Sequence, residues 1–68
     1  MKITLSKHAL EQARGRGVSL EQIKNTIKRG AKFLQGRKIV AEYMYIRAAY
    51  KIIDEEYFII TVMIKKGD

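Results

Sequence analysis

Hydrophobic and polar positions follow a helical period in the first half of the chain and a period of two in the second half. Residues 2–5 alternate between polar and apolar side chains, which predicts a short strand. Ser6 can then cap a helix over residues 7–16. The apolar face of this helix consists of Ala9, Leu10 and Ala13.

A second helix is predicted directly after the first. Gly17 stands where a left-handed residue would end the first helix. Ser19 and Gln22 have the spacing of a capping box, so we expect the second helix to begin there and to end near Arg29, before Gly30. Its apolar stripe consists of Leu20, Ile23 and Ile27.

The remainder of the chain is rich in β-branched and aromatic residues and predicts strands. These strands are expected at residues 31–34, 39–46, 50–53 and 57–64, with a turn between residues 46 and 50 and a hairpin across residues 54–56. In the last strand, simple alternation groups Phe58, Ile60, Val62 and Ile64 on one face and Tyr57, Ile59, Thr61 and Met63 on the other. The predicted fold class is α+β, one domain over residues 1–68 with a short N-terminal strand, two helices and a three- to four-stranded antiparallel sheet.

Composition narrows the chemistry that is available to these 68 residues. The chain has no cysteine and a single histidine, which excludes disulfides, cysteine–metal sites and a histidine-rich metal site within one chain. No apolar run approaches the length of a membrane span, and no signal peptide is evident, so we expect a cytoplasmic protein without a membrane partner. No phosphate-binding or dinucleotide-binding glycine motif is present, and no cofactor is expected.

The net charge of +7 is concentrated in one half of the chain. Residues 1–38 hold ten lysines and arginines against two glutamates, a net charge of +8, whereas residues 39–68 hold four basic against five acidic residues. An excess of this size favours an anionic partner, namely RNA, DNA, an acidic protein or, as a weaker alternative, a membrane surface.

His8 is the one side chain that titrates near neutral pH without help from its surroundings. On the first helix it shares a polar stripe with Gln12 and Arg16, because these residues are spaced four apart. A lone histidine near the start of a helix is more often an ordinary exposed residue than a catalytic one. Both interpretations stay open on this evidence.

Polar residues also interrupt the apolar strands. Arg47, Lys51 and Thr61 would be costly there unless they face water or a ligand, and the solvent face of a sheet is as good an explanation as a binding site. Histidine, arginine, lysine and tyrosine are the inventory needed for metal-independent RNA cleavage, in which the 2′-hydroxyl attacks the adjacent phosphate. Carboxylate spacings typical of magnesium or zinc sites are absent.

The tyrosines allow base stacking or plain sheet packing. Tyr43, Tyr45 and Arg47 would alternate onto one face if their strand continues unbroken. Tyr45 is therefore a candidate for contact with an RNA base, and Tyr50 is a second candidate whose face depends on strand register.

The first helix carries His8-Ala9-Leu10-Glu11, which leads into Arg16-Gly17-Val18-Ser19-Leu20-Glu21-Gln22-Ile23, and the final strand carries Ile59-Ile60-Thr61-Val62. With these motifs, residues 3–64 resemble domain-of-unknown-function family 4258. That family is similar in architecture to the RelE-like and BrnT-like toxins, within a group of metal-independent ribonuclease folds that includes barnase and colicin nucleases.

The resemblance implies an endoribonuclease, often the toxin of a toxin–antitoxin pair, acting on free or ribosome-bound RNA and neutralised by an acidic antitoxin. Matched position by position, it implies catalytic roles for His8, Arg16, Lys51 and Thr61. The family often carries an arginine where this chain has Gln12, and Arg14 is the nearest replacement for its charge. Substrate-binding roles then fall to Gln12, Arg14, Arg47, Tyr45 and Tyr50.

Two other hypotheses use fewer of these residues. A non-catalytic RNA- or DNA-binding module needs the basic residues and tyrosines but not His8. An interaction module or homo-oligomer would pair through an exposed sheet edge.

Overall fold

One strand, two helices and four further strands follow one another along the chain. The computed structural model describes residues 1–65. The elements are β1 (Lys2–Leu5), α1 (Lys7–Arg16), α2 (Leu20–Arg29), β2 (Ala31–Gln35), β3 (Lys38–Tyr43), β4 (Ile46–Ile53) and β5 (Glu56–Ile64). The predicted α+β class and the predicted order of elements are confirmed.

The five strands form a single sheet in the order β1-β5-β4-β3-β2. Strands β2 to β5 are antiparallel neighbours, whereas β1 pairs with β5 in parallel, with Lys2 opposite Glu56 and Leu5 opposite Ile59. The four strands after the helices form the predicted antiparallel sheet, and β1 adds a fifth strand in parallel, so the whole sheet is mixed. The N-terminal strand β1 pairs with the backbone of β5, whose outer N–H and C=O groups would otherwise form an unpaired edge.

Both helices begin and end where their caps predict. Ser6 Oγ accepts a hydrogen bond from Ala9 N–H at 3.0 Å, and Gly17 adopts the left-handed conformation with φ 68°. Ser19 and Gln22 form the reciprocal capping box, with Ser19 N–H donating to Gln22 Oε1 at 2.8 Å and Gln22 N–H donating to Ser19 Oγ at 3.1 Å.

Both helices lie on the same side of the sheet, which we call the helix-covered face. The core between the helices and this face contains Ala9, Ala13, Val18, Ile23, Ile27, Ala41, Ile46, Tyr50, Ile59 and Val62. Leu10 and Leu20 were predicted to join it but are exposed. On α2, Thr26 is buried instead, and its hydroxyl donates to Gln22 O at 2.8 Å, so its polar atom is satisfied within the helix.

The hairpin between β3 and β4 turns at Met44 and Tyr45, not between residues 46 and 50 as predicted. Met44 has φ 56°, a left-handed conformation that favours glycine or asparagine, so its side chain gives no turn signal. The later hairpin turns at Asp54 and Glu55, both with positive φ, inside the predicted segment.

A bulge in β5 overturns the simple alternation predicted for that strand. Ala49 pairs with Thr61 and the next residue, Tyr50, pairs with Ile59, so Ile60 is an extra residue without a partner on β4. After the bulge the two faces exchange. Val62 therefore joins Ile59 in the core, and Thr61 points away from the helices.

Candidate nucleic-acid interface

The side of the sheet that faces away from the helices, here called the open face, contains a cleft of about 200 Å³. It is lined by Gln35, Lys38, Val40, Arg47, Ala49, Thr61 and Met63. These residues come from four neighbouring strands, so the cleft exists only when the sheet has formed.

The floor of the open-face cleft is a row of three small or short side chains. Val40, Ala49 and Thr61 are register partners across β3, β4 and β5. Val40 is 2% exposed and Ala49 is 8% exposed, although no helix within residues 1–65 covers this face. Their burial therefore comes from the longer side chains around them, which form the walls of the cleft.

Arg47, which lines the cleft, is paired with a carboxylate that the sequence pattern did not predict. Its Nε and Nη2 atoms contact Glu42 Oε2, and Lys65 Nζ lies 3.3 Å from Oε1 of the same carboxylate. Burial raises the pKa of Glu42, but the hydrogen bonds and charges of Arg47 and Lys65 outweigh it and hold that pKa below its ordinary value. Glu42 lies opposite Arg47 because the hairpin turns at Met44 and Tyr45. The pair was not predicted because the turn was expected between residues 46 and 50.

Strand register assigns two phenylalanines to the open face, where only tyrosines were expected. Phe33 is the register partner of Val40 and, on the edge strand β2, also borders a groove on the helix-covered side. Phe58 is the partner of the exposed Lys51. By strand alternation Lys51 shares the open face with Arg47 and Ala49. The structure thus brings cations and aromatic rings to one surface, which is the combination found in single-stranded RNA binders.

Helix α1 runs along the part of β5 that β1 leaves uncovered. Ser6 N–H donates to Ile59 O at 2.9 Å, Ser6 Oγ donates to Ile60 O at 3.1 Å, and Val62 N–H donates to Gln12 Oε1 at 3.0 Å. Gln12 therefore replaces a missing strand neighbour at the edge of the sheet. It binds the backbone next to Thr61.

His8 lies one helical turn before Gln12, on the same stripe of α1. It is exposed and does not line the open-face cleft. Arg14 and Arg16, at the end of the helix, are also exposed. The sequence-predicted residues thus form two groups, one along α1 at the edge of β5 and one on the open face, and the groups meet where Gln12 contacts the backbone beside Thr61.

The two predicted tyrosines lie away from the open face. Tyr50 is 2% exposed and packs against Tyr57, with ring centroids 5.7 Å apart. Burial raises the pKa of Tyr50, and the charge interaction with Tyr57 raises it further. Tyr45 is exposed in the turn, where its hydroxyl accepts from Gln22 Nε2 at 3.2 Å on the helix side. Because the turn breaks the strand, Tyr45 and Arg47 do not share a face.

Within residues 1–65 there is no cluster of three or more histidine, cysteine, aspartate or glutamate side chains that could hold a metal ion. Among the helices of the same range, none is long and apolar enough to cross a membrane.

These features define a small α+β protein whose sheet presents a cationic and aromatic open face. Residues 5–64 match the model of the family described as "Domain of unknown function (DUF4258)". The chain belongs to this family, as its helix and final-strand motifs suggested. No curated protein and no solved structure matches the chain.

Proposed function

We propose that the protein is a small metal-independent endoribonuclease, the toxin of a toxin–antitoxin system, that cleaves RNA by attack of the 2′-hydroxyl on the adjacent phosphate. The observation that carries this proposal is the junction at β5. There Gln12, on the α1 stripe that also carries His8, accepts a hydrogen bond from Val62 N–H, next to Thr61 in the lining of the open-face cleft.

In this mechanism a single RNA strand lies across the open face. Arg47 and Lys51 bind phosphate oxygens and offset the charge that accumulates on the phosphorane, and the Thr61 hydroxyl donates a hydrogen bond to the same group. Phe33 and Phe58 offer flat apolar surfaces for bases. A substrate phosphate would compete with Glu42 for Arg47.

His8 supplies proton transfer from the edge of β5. It accepts the proton of the attacking 2′-hydroxyl or donates one to the departing 5′-oxygen, and the product is a 2′,3′-cyclic phosphate. The exposed Arg14 and Arg16 extend the cationic track along α1 for flanking phosphates. Gln12 holds α1 against β5 and so acts here as a positioning residue.

The test is a cleavage time course for the wild type and His8→Ala, on free single-stranded RNA in EDTA and on ribosome-bound RNA in magnesium buffer, because ribosomes dissociate in the chelator. The matched control is Glu11→Ala, which truncates the exposed neighbour of the same helix. We expect cleavage in the chelator and a loss of at least ~10² in rate for His8→Ala alone. An unchanged rate in His8→Ala would contradict the role of His8, and no cleavage in any arm would contradict the enzyme.

A second candidate function is a non-catalytic RNA-binding module, which is favoured by the absence of His8 from the cleft lining. This function predicts that Arg47→Ala and Lys51→Ala weaken RNA binding while His8→Ala changes nothing.

If the protein is a toxin, its natural inhibitor is an acidic antitoxin protein. A toxin that cleaves cellular RNA acts in the cytoplasm. The net charge of +8 in residues 1–38 suits such a partner.

A further inference from the structure

The helix-covered face of the sheet is not completely covered. Beyond the end of α2 it contains an apolar groove of about 580 Å³, larger than the open-face cleft. Ile27, Leu34, Ile39, Ile52 and Tyr57 contribute to its lining, and its only charged lining residues within residues 1–65 are Lys28 and Lys32. This groove is therefore apolar inside and cationic at its rim.

One wall of the apolar groove is β2, an edge strand of the sheet. All five of its residues are exposed, and Leu34 is 77% exposed. β2 contains no proline, and Lys32 is its only charged residue. Proline and charged residues, which keep natural edge strands from pairing with other chains, are thus nearly absent from β2. The outer backbone groups of β2 have no strand partner among residues 1–65.

The charge around β2 decides what kind of partner suits this edge. Residues 28–38 contain five lysines and arginines and no acidic residue. A second copy of the chain would bring two such clusters together, which is unfavourable. A nucleic acid would satisfy the cations but would leave the aliphatic lining of the groove without an apolar ligand.

We infer that the apolar groove and the edge of β2 bind an acidic, extended segment of a partner protein, which pairs with β2 as a sixth strand of the sheet. Its backbone takes up the free edge, its alternate apolar side chains enter the groove beside Leu34, and its carboxylates face the cluster in residues 28–38. The groove opens on the helix-covered side of the sheet and the cleft on the other side, and only Gln35 and Lys38 belong both to the cleft lining and to the region around β2. Binding of the segment can therefore be measured without RNA cleavage. Only the identification of the partner as an antitoxin rests on the proposed function.

The experiment uses the full chain and a displayed library of random peptides about twelve residues long, enough for one long strand and its flanks. Peptides are selected on the wild type and then measured against Leu34→Asp. The matched control is Leu20→Asp, the same change at an exposed leucine of α2 outside the groove; Leu20 is 54% exposed. We expect net-acidic peptides with alternating apolar residues, at least about tenfold weaker binding to Leu34→Asp, and wild-type binding to Leu20→Asp.

A second readout reports the mode of binding. Amide exchange of β2 should slow in the complex, because an added strand occupies its free backbone groups. The inference is overturned if the selected peptides are not acidic, if they bind Leu34→Asp as well as the wild type, or if β2 stays unprotected. It is also overturned if the chain alone forms a dimer that Leu34→Asp dissociates, or if a single-stranded RNA displaces the peptides by binding the groove.

Discussion

The two faces of the sheet are both buried at their centres, but by different means. On the helix-covered face, Ile59 and Val62 of β5 lie beneath α1, and α2 covers β3 and β4. On the open face, Val40 and Ala49 are buried in a cleft whose lining includes the charged side chains of Lys38 and Arg47. Helix packing excludes water as long as the protein is folded, whereas flexible charged side chains can move aside for a ligand.

This difference separates stability from binding. A 68-residue domain has a thin core, so the contacts beneath the helices carry much of its free energy of unfolding. The open face can change its ion pairs without opening that core. Substitutions on the helix-covered face should therefore lower the free energy of unfolding, whereas substitutions on the open face should change ligand binding.

The largest expected effect is the loss of stability from truncating the helix-covered face. Ile59→Ala leaves a cavity beneath α1 and should lower the free energy of unfolding by about 2–5 kcal/mol, measured by urea denaturation. The control is Ile53→Ala at the end of β4, where the side chain is 53% exposed and the expected change is within about 0.5 kcal/mol. Equal losses would show that the core is not concentrated beneath the helices.

The next effect concerns the contact that joins the two groups of candidate site residues. Gln12→Ala removes the acceptor of Val62 N–H and should cost about 1–3 kcal/mol, with faster amide exchange at Val62. Gln12→Glu keeps an acceptor oxygen and should lose less stability than Gln12→Ala. If exchange at Val62 is the same in all three proteins, the hydrogen bond does not hold α1 to β5.

A smaller effect should separate the open face from the rest of the basic surface. Arg47→Ala and Lys51→Ala should each weaken binding of single-stranded RNA about fivefold and lower its salt slope by about 1, because each removes one phosphate contact. Arg29→Ala, an exposed residue of α2 on the other side of the sheet, should change RNA affinity less. An equal loss in all three variants would indicate general electrostatic attraction without a preferred face.

The smallest expected effect is a gain. Glu42→Gln removes the carboxylate that occupies Arg47 and should tighten RNA binding about two- to fivefold. Because the folded-state pKa of Glu42 is lowered, its contribution to stability is present above the ordinary carboxyl pKa and is lost as the pH falls through the lowered value. Urea denaturation across this acidic range should therefore vary less with pH in Glu42→Gln, and an identical pH dependence would contradict the ion pair.

Sequence patterns predicted the helices more accurately than the strands for a physical reason. Helix caps close within a few residues, as between Ser6 and Ala9 or Ser19 and Gln22, so the amino acids that form them are neighbours in the chain. The left-handed turn at Met44 and the bulge at Ile60 carry no comparable local signal. Each depends on how a strand meets its neighbour.

The candidate site divides in the same way. Arg47, Lys51 and Thr61 were identifiable because polar residues interrupt apolar strands, and the structure places all three on the open face. Glu42, Phe33 and Phe58 were missed because their positions depend on strand register. Tyr50 was considered accessible, yet pairing between Ile39 and Ile59 places it in the core.

By itself, the sequence determined the bounds of both helices, the existence of the strands and the concentration of positive charge in residues 1–38. Tertiary structure alone decided which side chains share a face, which carboxylate occupies Arg47 and where an apolar groove remains uncovered. These features arise from partners distant in the chain, as where Val62 N–H meets Gln12, fifty residues away. Such contacts form only when the whole sheet fixes its register, and one extra residue in β5 is enough to exchange its two faces.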